Sequence, residues 1–121
     1  MATVHQKFAL AIVLLALMGT LLAGVIAYRG GRLDPVRQAG RAMSVILALQ
    51  AVFGIILAVA GNRPADSLHF VYGPALLFSL PVAGALSRGR PHKSQGLVLA
   101  AGWLLTLALS LRAAGTGGGL S

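Results

Sequence analysis

The sequence predicts an all-α integral membrane protein, a four-helix bundle that crosses the bilayer up, down, up and down. Of its 121 residues, 57% are hydrophobic and only 10% are charged, so polar side chains are too few to cover a water-soluble domain of this size. Four long apolar stretches carry no acidic or basic residue in their interiors. Short connections between them make successive helices antiparallel neighbours.

Each apolar stretch approaches the about 20 residues that a helix needs to cross the hydrocarbon core. The four spans cover about residues 8–28, 43–60, 68–86 and 96–111. The first is too long for the apolar core of a signal peptide, and no small-residue cleavage site follows it, so it is predicted to remain a span. We expect residues 1–114 to form the bundle and the Gly-rich residues 115–121 to form a flexible tail.

The basic residues predict how the bundle is oriented. The net charge is +8, but the charges lie between the apolar stretches instead of along one polar face, which argues against a nucleic-acid partner. Loops 29–41 and 87–95 carry seven of the ten Lys and Arg side chains. The positive-inside rule therefore makes these loops cytoplasmic and places both termini outside the cell membrane.

Two of the three histidines are predicted to lie at the same outer level of the bundle. His5 precedes the first span and His69 opens the third, whereas His92 belongs to a basic loop and is read as solvated. Diagonal helices of a square bundle stand about 11 to 14 Å apart, enough for a macrocycle held by an imidazole on each face. One hypothesis is thus a bis-histidine heme b site; the other is that both histidines are interfacial residues satisfied by water and backbone.

Residues around the two histidines would suit such a site. Gly73 lies one turn beyond His69 and leaves room for a porphyrin, and Tyr72 flanks it. Arg63, Arg112 and Lys7 lie at the same outer level, where they could pair with heme propionates or simply anchor helix ends.

Small and polar positions inside the spans predict helix contacts. Gln50 is an amide in the middle of the second span, so it should point into the bundle, either for an interhelical hydrogen bond or beside a cofactor. Six glycines provide positions where helices can approach closely: Gly19, Gly24, Gly54, Gly73, Gly84 and Gly102.

Three segments, in order, resemble half of the heme A synthase family. They are Val4-His5-Gln6-Lys7 before an apolar helix, Leu49-Gln50 followed by Gly54, and Pro64 followed by Leu68-His69 and Tyr72-Gly73. The resemblance covers about residues 4–86 and implies heme ligation by His5 and His69. It does not extend to oxidation of heme O, because this chain has one bundle, no cysteine pair and no acidic residue beside His5.

Three functions follow as hypotheses. The first is a heme b protein that transfers electrons or handles heme at the outer face. The second is a cofactor-free accessory subunit of a larger membrane complex, for example a respiratory one. The third is a small proton-coupled transporter, which would need a carboxylate within the membrane, whereas Asp34 and Asp66 lie at or beyond helix ends. No catalytic constellation is present in the sequence, which argues against an enzyme.

Overall fold

The described part of the chain folds into four long apolar helices. The computed structural model describes the backbone of residues 2–61 and 69–116 and the side chains of residues 5–61 and 69–115. The helices are α1 (Ala2–Arg29), α2 (Asp34–Val59), α3 (His69–Ser87) and α4 (His92–Thr116). Each is long and apolar enough to cross a membrane. The prediction of an all-α membrane bundle is confirmed.

The helices extend beyond the predicted spans, mainly at the basic end of the bundle. α2 begins at Asp34, with proline in its first turn, so Arg37 and Arg41 lie on the helix and not in the predicted loop. α4 begins at His92. Hydropathy indicates which residues lie in the hydrocarbon, but a helix can extend beyond that segment. Arginines in the membrane interface can stay helical because their long side chains reach water. At the other end, α4 continues to Thr116, beyond the predicted start of the tail; residues 117–121 lie outside the described residues.

Tight connections join the helices at this basic end. Only residues 30–33 separate α1 from α2, and only residues 88–91 separate α3 from α4. Gly30 and Gly89 have positive φ angles of 72° and 76°, a conformation that ends helices and that glycine adopts without steric cost. The amide of Gly31 donates to the carbonyl of Ile26 at 3.1 Å, which closes the C-terminus of α1.

The helices are arranged around the bundle in chain order, and α2 and α4 approach each other more closely than α1 and α3 do. α4 packs extensively against both α1 and α3, whereas α2 makes smaller contacts with the same two helices. Among the described residues, no Cα of α1 lies within 8 Å of a Cα of α3. α1 and α3 are therefore diagonal, and the looser seating of α2 leaves space beside it.

Close packing of α4 depends on two glycines. A Cβ at Gly19 of α1 would overlap the indole ring of Trp103, and a Cβ at Gly102 would overlap that of Ala83 in α3. Gly24, Gly73 and Gly84, by contrast, have open space among the described residues where a Cβ would be, and Gly54 lies beside His5. Glycines with the same sequence signal thus differ in what they contact.

The outer surface of the bundle is apolar. Large hydrophobic side chains such as Met18, Ile55 and Leu104 are more than half exposed. In water, the hydrophobic effect would favour burying these side chains inside the bundle, but in lipid this driving force is absent. Inside the bundle, the hydroxyls of Ser79 and Thr106 lie 2.8 Å apart and join α3 to α4.

Candidate functional site

The structure brings His5 of α1 and His69 of α3 together across the diagonal of the bundle. Their ring centroids are 6.2 Å apart and their planes are inclined at 79°. Because α1 and α3 run parallel, residues at the starts of both helices lie at the same end. Both imidazoles are half-buried. The two side chains extend into the space between the backbones of α1 and α3.

His69 is oriented by the last turns of α4. Its Nδ1 lies 2.7 Å from the carbonyl oxygen of Ala113. A carbonyl can only accept, so this contact selects the tautomer with the proton on Nδ1 and places the lone pair on Nε2. A histidine that binds a metal through Nε2 is commonly oriented in this way, by a bond from its other ring nitrogen to a backbone carbonyl.

His5 lies against α2. Gly54 is its close neighbour, because a Cβ there would be 3.2 Å from Cε1 of His5 and 3.7 Å from Nε2. Gln50, one turn before Gly54, donates from Nε2 to the backbone carbonyl of His5 at 2.8 Å. Phe8 and Phe53, with ring centroids 6.0 Å apart, add an aromatic contact between α1 and α2.

Two buried polar atoms beside the histidine pair have no hydrogen-bond partner among the described residues. They are Nδ1 of His5 and Oε1 of Gln50. Leaving such an atom buried and unpaired costs about 1 to 3 kcal/mol. Native proteins keep few groups of this kind, and each calls for an explanation such as a function, a bound water or an ion.

A cavity of about 830 Å³ contains both histidines in its wall. This volume lies within the range of about 300 to 1,000 Å³ typical of cofactor and small-molecule sites. Gln50, Gly54 and Gly73 also line the cavity, and most of the remaining wall is apolar, for example Ile12 and Leu76. A Cβ at Gly73 would have open space around it.

The other residues predicted for this site have different positions. Tyr72 is half-buried and packs against the apolar core; it is not part of the cavity wall. Arg112 is exposed on α4, one residue before the Ala113 carbonyl that contacts His69. Lys7 is exposed on α1. Arg63 lies outside the described residues, as does Asp66.

Sequence reasoning missed the contribution of α4. Ser110, Ala113 and Ala114 line the cavity, and the Ala113 carbonyl orients His69. A backbone acceptor has no residue signature, so no pattern in the sequence could reveal it. The third histidine, His92, is exposed at the start of α4, where its Nε2 lies 2.8 Å from the carbonyl of Gly31; it joins two connections at the basic end.

The distance between the two ring centroids allows a metal ion between the imidazoles, provided that a nitrogen of each ring faces it. A metal–imidazole bond is about 2 Å long and the ring centre lies about 1 Å beyond the nitrogen, so two imidazoles on opposite sides of one metal have centroids about 6 Å apart. The observed separation is 6.2 Å. In the parts of the chain that the structure describes, no group of three or more His, Cys, Asp or Glu residues is placed to hold a metal ion. A macrocycle supplies the other ligands itself, so two axial histidines suffice for a heme.

Comparison with protein-family models, with curated proteins and with solved structures finds no match for this chain. The resemblance to the heme A synthase family therefore stays a prediction that depends on its three segments.

Proposed function

We propose that this chain is a membrane heme b protein in which His5 and His69 are the axial ligands. The observation that carries the proposal is the 6.2 Å separation of the two rings in the wall of a cavity of about 830 Å³. A bound heme would supply one-electron chemistry, for electron transfer or for heme handling near the outer face of the membrane.

The residues of the chain would hold and orient this group. The Ala113 carbonyl keeps His69 in the tautomer that presents Nε2. Gly54 and Gly73 carry no side chain that would occupy the cavity. Lys7 and Arg112 lie near the same end of the bundle, where cations can pair with propionates. The apolar wall would exclude water, and burial of this kind is one determinant of a heme's potential.

A heme titration tests the proposal. The purified protein, in mild detergent, is titrated with hemin, and absorption spectra are recorded before and after reduction with dithionite. We expect one heme per chain with the low-spin spectrum of two nitrogen ligands. His5→Ala and His69→Ala should each give a high-spin spectrum and weaker binding, because one axial ligand is lost.

His92→Ala is the matched control, since it also removes a histidine but lies at the opposite end of the bundle. It should bind heme like the unmodified protein. A folded protein that binds no heme, or that gives the same spectrum in all three variants, would contradict the proposal. A colourless protein that copurifies with a larger membrane complex would instead favour the accessory-subunit function.

We also propose that the basic end faces the cytoplasm and that both termini lie outside the cell membrane. The support is the excess of Lys and Arg in residues 29–41 and 87–95. Because the chain has no cysteine, single cysteines introduced at Gly31 and at Ser121 can be labelled selectively. An impermeant thiol reagent applied to intact cells should label the Ser121 position alone; the reverse pattern would contradict the orientation.

A further inference from the structure

A second cavity, of about 300 Å³, lies at the basic end of the bundle beside α2. Three arginines line it: Arg37 and Arg41 from the first turns of α2, and Arg88 from the end of α3. Its wall also includes apolar residues such as Leu80 and Trp103. Cationic groups at the helix ends and an apolar interior are thus combined in one concave site.

Arg37 is held in place by neutral groups. Its Nη2 donates to Oγ of Ser87 at 3.0 Å and to Oε1 of Gln95 at 2.8 Å. Gln95 is itself oriented, because its Nε2 donates to the carbonyl of Arg90 at 2.7 Å. Both acceptors are neutral, so these bonds orient the guanidinium of Arg37 but leave its positive charge in place. Both bonds use Nη2, so the N–H groups on Nη1 and Nε can bind a ligand.

No carboxylate of the described residues pairs with these arginines. The chain has two acidic residues in all. Asp34 forms an ion pair with Arg32 at 2.7 Å. Asp66 lies outside the described residues; in the sequence it comes three residues before His69, where α3 begins, whereas Arg88 follows the last residue of α3. Within the described part of the chain, the arginines of this cavity therefore have no counterion, and a bound anion would supply one.

We propose that this cavity binds the phosphate headgroup of an anionic phospholipid. Arginine forks match phosphate oxygens in geometry and charge, and basic pockets between transmembrane helices are suited to anionic headgroups. Leu80 and Trp103 offer an apolar surface next to the phosphate position, which fits a lipid better than a free anion. The inference does not depend on heme, because the two cavities lie at opposite ends of the bundle.

Lipid binding can be measured by native mass spectrometry and by thermal stabilisation of the full chain in detergent. The probes are phosphatidylglycerol, phosphatidylcholine and inorganic phosphate. We expect phosphatidylglycerol to bind and to raise the midpoint of unfolding, and the other two to have little effect. Equal stabilisation by phosphatidylcholine would refute an anionic site, and equal stabilisation by phosphate alone would refute a lipid site.

Variants separate a specific site from a general effect of charge. Arg41→Gln and Arg88→Gln should each weaken phosphatidylglycerol binding by about tenfold, because each removes a charge-assisted contact. Arg29→Gln is the matched control: it removes one charge from the same end, but Arg29 does not line the cavity. An equal loss of binding in this control would refute the site.

A cavity-filling variant tests the same site without changing charge. Gly84 lines the cavity, and among the described residues a Cβ there would meet no atom of a neighbouring helix within 4 Å. Gly84→Val should keep the unfolding midpoint of the lipid-free protein and lose phosphatidylglycerol binding. If this variant is equally stable and still binds the lipid with unchanged affinity, the headgroup does not occupy the cavity.

Discussion

The contact between Gly19 and Trp103 should control how closely α1 packs against α4. In Gly19→Ala, the new Cβ would overlap the indole ring of Trp103, which is 3% exposed and has little room to move. Overpacking of this kind costs about 1 to 3 kcal/mol. Gly24→Ala, in the same helix, would meet no atom within 4 Å.

Both substitutions gain about the same helix propensity, about 1 kcal/mol. Propensity therefore cancels when the two variants are compared, and their free energies of unfolding should differ by the overpacking cost alone. We expect Gly24→Ala to be as stable as the unmodified protein or slightly more stable, and Gly19→Ala to be about 1 to 3 kcal/mol less stable than Gly24→Ala.

The assay is reversible unfolding by SDS in mixed micelles, followed by far-UV circular dichroism. The fluorescence of Trp103, the only tryptophan in the chain, provides a second signal. A double-mutant cycle with Trp103→Leu isolates the contact, because Gly19→Ala should cost much less once the indole is gone. Equal stability of Gly19→Ala and Gly24→Ala would refute the reasoning, as would an unchanged cost of Gly19→Ala in the Trp103→Leu background.

Three further substitutions test the polar and close contacts of the bundle. Gln50→Leu removes one interhelical hydrogen bond but also removes a buried oxygen that has no partner among the described residues. The two effects oppose each other, so the free energy of unfolding in the same assay should change by less than about 1 kcal/mol, and a loss of several kcal/mol would contradict this account. Thr106→Val should lower the free energy of unfolding by about 0.6 kcal/mol. The hydroxyls of Ser79 and Thr106 have two protons for the three hydrogen bonds around them, so these bonds cannot all form at once, and a much larger loss would contradict this account. Gly54→Ala should lower heme affinity in the hemin titration, because its Cβ would be 3.2 Å from the His5 ring; unchanged affinity would mean that the ring can shift freely.

The positions of the site residues follow from the sequence to different extents. The sequence placed His5 and His69 at one level because both begin apolar spans on parallel helices, and the structure brings their rings to 6.2 Å. It also predicted that Gln50 points into the bundle, where it bonds to the His5 backbone. Tyr72 packs against the core, and its predicted role beside a cofactor stays a prediction, since the direction of its side chain depends on the rotation of α3, which hydropathy does not fix. Whether heme is bound stays a prediction.

By itself, the sequence determined that four helices cross the membrane, because apolar segments without charges are stable in lipid only as helices with internally satisfied backbones. It did not determine where the helices begin, since Arg37 and Arg41 can stay helical in the interface. Nor did it distinguish Gly19, packed against Trp103, from Gly24, which has open space. Only the tertiary structure decided these points, because the rotation and separation of neighbouring helices depend on many side-chain contacts made at once, and these join residues far apart in the chain.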